Sequence, residues 1–176
     1  MSHDLVSSLA SFESSAVVPL LVRDVAGTYR SAQPDEVLRA AQQVLVGQVR
    51  GSDVLSSPAA VKDFLRLRLG ALPHEVFAVV HLDAQHRVLD YIELFRGTVT
   101  QTSVYPREVV KEALARNAAA LLLCHCHPSG LAEPSRADEF LTQTLKSALA
   151  LVDVRVLDHL IVAGPTILSM AERGLL

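Results

Sequence analysis

Long apolar runs are missing from this chain of 176 residues, although half of them are hydrophobic: no stretch approaches 18 apolar residues without a break, and a membrane-spanning helix needs about 20. The N-terminus also lacks a charged region followed by an apolar run and a small-residue cleavage site, which is the pattern of a secretory signal. These absences predict a soluble cytoplasmic protein with no membrane partner. Cysteine is scarce. Cys124 and Cys126 are the only two, and one intervening residue of extended chain holds their Cα atoms near the upper limit of disulfide geometry, so a reducing compartment fits. Positive charge is not in excess either. With a net charge of −3 there is no global basic footprint for nonspecific nucleic-acid binding. The signatures H-E-x-x-H, C-x-x-C and G-x-S-x-G are all absent, which sets aside helical zincins, zinc deaminases and elbow-type serine hydrolases.

What remains is a chain long enough for one domain with a sizeable core. Residues 1 to 33 are mixed, with Ser-rich and apolar patches, and predict only a short helix or strand. From Pro34 the residues Val37, Leu38, Ala41, Val44, Leu45 and Val49 recur at helical spacing up to Gly51. Ser57-Pro58 opens a second helix with Val61, Phe64, Leu65 and Leu69 on one stripe, and Gly70 stands where a C-cap is expected. Val76 to Leu82 and Val88 to Phe95 read as a strand hairpin around the polar turn Asp83 to Arg87. Gly97 to Thr102 reads as a third strand, and Pro106 starts a helix carrying Val109, Val110, Ala113 and Leu114. Then come a buried strand from Ala118 to Cys124, a helix from Ser135 to about Leu151, a strand from Val154 to Val162 and a short one over Ile167 to Met170. Strands alternating with helices predict an α/β arrangement with helices packed on a mixed sheet.

The chemistry concentrates where the buried strand ends. On extended chain alternate side chains share a face, so His125 and His127 point one way and Cys126 the other. Asp138 follows past a Pro/Ser/Gly loop near a helix start, where its carboxylate can return to the same point. Two nitrogens and one oxygen leave a fourth position open, as in a catalytic zinc site. Ser135 and Asp138 also form S-x-x-D before an apolar helix, a capping-box pattern that exists without any metal. Asp158 and His159 stand on a strand, where they either orient a ligand or serve a structural hydrogen bond. His74, His81 and His86 have no spacing partner and read as solvated or core-satisfied imidazoles.

Written as a pattern, the segment is H-x-H, seven residues, S, two residues, D. It resembles the JAMM (MPN+ or JAB) metalloprotease motif. The stretches Glu75-Val-Phe, Gly97-Thr-Val, Tyr105-Pro-Arg-Glu, His127-Pro-Ser-Gly, Pro134-Ser-Arg-Ala-Asp and Leu157-Asp-His-Leu-Ile-Val resemble the bacterial RadC family, over about Leu69 to Leu176. The resemblance implies a three-layer α/β/α mixed sheet of the cytidine-deaminase-like type, here preceded by a short N-terminal helical extension, with the division at 1–68 and 69–176. It implies one Zn2+ per chain held by His125, His127 and Asp138, with Glu75 moving the proton of the attacking water and Ser135 donating to the oxyanion. The implied activity is cleavage of a peptide or isopeptide bond in a peptide or protein substrate. The competing implication is a DNA-repair-associated or nucleic-acid-processing role, against which stand the acidic balance and the absence of a helix-hairpin-helix pattern in residues 1 to 68; a third is a non-catalytic MPN-like interaction module. A homodimer through the N-terminal helices is compatible with the sequence. Cys126 occupies a position where the family has Asn, and is expected to be a small buried side chain facing away from the metal.

Overall fold

The computed structural model describes residues 19–49, 57–97 and 103–176. Its organising element is a five-stranded sheet in the order β4-β3-β5-β6-β7, formed by β3 (Val76–Leu82), β4 (Val88–Arg96), β5 (Ala120–Cys126), β6 (Arg155–Ala163) and β7 (Thr166–Ser169). All neighbours are antiparallel except β5 and β6, whose parallel pairing requires a crossover, supplied by helix α4 (Arg136–Ala150). β3 is buried at every position. It therefore reads as an unbroken apolar run rather than as an alternation, which is the mark of a strand covered on both faces.

The two faces meet different helices. Ala78, Val80 and Leu82 of β3, with Cys124, Cys126, Leu160 and Val162, pack against Val61, Phe64, Leu65 and Leu69 of α2 (Pro58–Leu69). Phe77, Val79, Leu121 and Leu123 pack against Val109 and Ala113 of α3 (Pro106–Ala115) and against Leu145 and Leu149 of α4. The result is the expected three-layer α/β/α mixed-sheet architecture. α2, which runs across the division expected at residue 68, supplies one of its two helical layers.

α2 begins as the sequence predicts, with Ser57 Oγ accepting from Ala60 N at 3.2 Å and Pro58 in the first turn. Gly70 is its C-cap, as expected, with right-handed backbone geometry. Gly70 has φ −65°, and glycine is required there for space: a Cβ would lie 2.6 Å from the carbonyl oxygens of both Arg66 and Gly164. The described residues up to 37 and those from 38 on form separate compact units. In the first, the described part is an antiparallel hairpin of β1 (Leu21–Arg23) and β2 (Tyr29–Ser31), two strands where one short element was expected. Its turn is held by Asp24 Oδ1, which accepts from Ala26 N and Thr28 N at 2.9 Å each. Helix α1 covers Pro34–Val49, as its periodicity predicts. The expected strand over Gly97 to Thr102 falls, from residue 98 on, outside the described residues, as does Gly51. No described helix is long and apolar enough to cross a membrane.

One histidine departs from its expected environment. His81 on β3 is fully buried, and neither ring nitrogen has a hydrogen-bond partner among the described residues. Burial, reinforced by the nearby Arg116 charge and opposed by Asp90, pushes its pKa down to about 4. The unfolded chain protonates near 6.5, so it takes up the proton first as pH falls. Stability from the neutral ring is complete above about 6.5 and is lost on descent toward 4. His81→Leu is accordingly expected to remove up to about 1.4 kcal/mol per pH unit from the slope of unfolding free energy across that window. Urea unfolding at stepped pH measures this; an unaltered slope would show that His81 does not titrate there.

Candidate metal centre

β5 is hydrogen-bonded on both sides, to β3 and to β6, and this fixes where its last residues point. His125 lies opposite Phe77 on one neighbour and Ile161 on the other. One residue past the strand, His127 N still donates to Val162 O at 2.8 Å, so the alternation persists and both imidazoles project from the same face. The chain then turns through Gly130, whose φ of +79° suits glycine. The carbonyl of Leu131 returns to within 2.8 Å of His127 Nδ1. A carbonyl can only accept, so Nδ1 carries a proton, and Nε2 is the atom left to act as a ligand.

Asp138 arrives from the opposite side, at the third position of α4. The capping box is present in full. Ser135 Oγ accepts from Asp138 N at 3.2 Å, while Asp138 Oδ2 accepts from Ser135 N at 2.7 Å and from the Ser135 hydroxyl at 2.6 Å. These bonds occupy Oδ2 and leave Oδ1 facing His125 Nε2 at 3.3 Å. The nitrogen atoms of His125 and His127 and the carboxylate oxygen all lie within 4.8 Å of one another. His125 is buried, and burial drives its pKa down to about 4, with Asp138 opposing the shift and His127 adding to it. His127 and Asp138 are partly open to solvent. Two imidazole nitrogens beside one carboxylate oxygen form a donor set that fits a divalent cation of the zinc type.

Of the residues singled out by sequence, His125, His127, Ser135 and Asp138 come together. Glu75 stands one residue ahead of β3, partly buried, with its carbonyl accepting from Gly97 N at 2.9 Å. Strand alternation gives it the face of Phe77, and continuing the Phe77–His125 register by two residues sets it across from His127. It is outside the convergent triad. Cys126 faces away, as expected: its Sγ donates to His74 O at 3.4 Å, and Cys124 Sγ donates to Ala78 O at 3.2 Å. Both thiols are free, and burial pushes both up. The Asp158–His159 pair divides. Asp158 serves structure, accepting from Ser169 Oγ at 2.5 Å, His159 N at 2.7 Å and Ala171 N at 2.9 Å. His159 stands behind His125, with Nε2 at 2.8 Å from its Nδ1. Thr142, whose hydroxyl lies 2.6 Å from His159 Nδ1, escaped the sequence reading. Its only sequence signal is a position one helical turn after Asp138.

Comparison with known proteins agrees with this geometry. The family model described as RadC-like JAB domain matches residues 55–175. Over 150 residues the chain is 63% identical to a UPF0758 protein of Leptothrix cholodnii and 61% identical to one of Methylibium petroleiphilum, covering 85% of this chain and 68% of each relative. A UPF0758 protein of Aromatoleum aromaticum is 62% identical over 151 residues, covering 85% of this chain and 67% of the relative. Protein purified without chelator is expected to carry about one divalent ion per chain, by the ligand count above, and Asp138→Ala to carry none, by elemental analysis. Ser135→Ala is expected to cost about 0.5–2 kcal/mol of stability in denaturant titration, the usual loss of a helix cap. The matched span contains the whole five-stranded sheet, α2, α3, α4 and every ligand of the triad, and the chain belongs to the RadC-like JAB domain family.

Proposed function

We propose that this protein is a zinc-dependent hydrolase that cleaves an amide, either a peptide or an isopeptide bond. The observation that carries the reading is the convergence of His125, His127 and Asp138, three protein donors where a closed structural site has four, with His127 and Asp138 partly open to solvent. A zinc ion held there would supply Lewis-acid chemistry, acidifying water and polarising a carbonyl. Glu75, on the same sheet face by strand alternation, is the residue we assign to take the proton of the attacking water and return it to the leaving amine. Ser135 is the residue we assign to the developing oxyanion. Its hydroxyl proton is engaged with Asp138 Oδ2 in this structure, so that assignment requires the proton to swing from one acceptor to the other. A peptide or protein is therefore the proposed substrate class.

The test is turnover of a library of fluorogenic peptides and isopeptide-linked substrates by the zinc-loaded protein. Glu75→Gln is expected to lower turnover by roughly 10²–10⁴-fold, the range for a lost general base, with zinc content unchanged. Equal turnover by the variant would remove Glu75 from the mechanism. Absence of any amide hydrolysis by the loaded native protein would count against the reading as a whole.

A further inference from the structure

Behind the triad lies a polar chain that runs through the core from β5 to α4. His125 Nδ1 is 2.8 Å from His159 Nε2, His159 Nδ1 is 2.6 Å from Thr142 Oγ1, and Thr142 Oγ1 is 2.6 Å from the carbonyl oxygen of Asp138. His159 and Thr142 are fully buried. The ring of Phe77 packs edge-on against His159 with centroids 5.8 Å apart, which holds the imidazole in its plane.

The direction of this chain is set at one end. The Asp138 carbonyl has no proton to give, so the single proton of the Thr142 hydroxyl goes to it; the other acceptor in reach, Met170 Sδ at 3.8 Å, is a weak one. Toward His159 the hydroxyl oxygen can then only accept, which puts the His159 proton on Nδ1 and leaves its Nε2 bare. A bare Nε2 accepts from His125, whose proton is thereby held on Nδ1. The Nε2 of His125 is left with its lone pair, 2.8 Å from His127 Nε2 and 3.3 Å from Asp138 Oδ1; with both ring protons on Nδ1 no proton lies between the two nitrogens, an approach that a shared cation would relieve. His127 reaches the same state by a separate route, through the Leu131 carbonyl.

The geometry points to Thr142 and His159 as positioning residues: together they lock His125 in the Nδ1–H tautomer and so present its Nε2 to a divalent cation held by His125, His127 and Asp138. The inference rests on the metal-site reading above and adds to it the residues that prepare one ligand before metal arrives. It also links two ligands from different elements, since the hydroxyl that orders His159 is bonded to the backbone of Asp138 one turn earlier in α4.

Two measurements test this. In the metal-free native protein, nitrogen-15 NMR of the histidine rings near neutral pH is expected to show His125 and His159 both protonated at Nδ1; a proton on Nε2 of either ring would overturn the relay. Zinc affinity, measured by competition with a chromogenic chelator, is expected to fall roughly 10–100-fold in Thr142→Val, the usual effect of removing a group that orients a ligand. It should stay near the native value in Thr142→Ser, which keeps the hydroxyl. Native-like affinity in Thr142→Val, or equal loss in Thr142→Ser when both variants melt like the native protein, would overturn the proposal. Failure of the native protein to bind zinc would end the metal reading, while the ring tautomers would still decide whether Thr142 sets the proton order.

Discussion

Everything in the candidate site depends on β5 being hydrogen-bonded along both edges. An antiparallel neighbour on one side and a parallel one on the other leave that strand no freedom to twist or slip. A shift of register by one residue would send both imidazoles into the α2 layer and both thiols toward the triad. The same double pairing separates two kinds of chemistry that are adjacent in sequence. Cys124 and Cys126 are sealed against α2 with the apolar residues of that layer, while His125 and His127 face the α4 side. The thiols are consequently inert neighbours of the imidazoles rather than rivals for the same ion.

The second constraint is the start of α4. A helix entering with Ser135 and Asp138 satisfies its own unpaired N–H groups, and it would do so in any protein. Here one carboxylate oxygen meets the needs of the helix while the other faces an imidazole. Local helix chemistry and the convergence of donors are therefore met by one side chain without conflict. Thr142, one turn on, continues the theme: a residue type that often bonds back to the carbonyl four positions earlier does so here, and its lone pair serves a histidine from another element.

Much of this was legible in the sequence because it depends on local rules. The unbroken apolar run of β3, the Ser57-Pro58 opening of α2 and the H-x-H spacing each follow from periodicity or capping alone. Other features are products of tertiary packing. Gly70 looked like a helix stop, yet what requires glycine is the approach of the Gly164 carbonyl, 94 residues away in sequence. The place of the α2 layer was not legible, because a helix stripe does not say which sheet it will cover. His159 and Thr142 meet only once β6 lies beside β5 and α4 crosses over them. The orphaned nitrogens of His81 are the opposite case, an apolar run hiding a polar residue whose cost appears only when both faces are covered.

The loop between β5 and α4 carries a last consequence. The peptide unit of Leu131 anchors His127 through its carbonyl, and its side chain is 63% exposed at the rim of the site. One residue therefore has its side chain in solvent and its backbone oxygen on the imidazole, so the conformation of this loop and the angle of the His127 ring are tied through a single hydrogen bond.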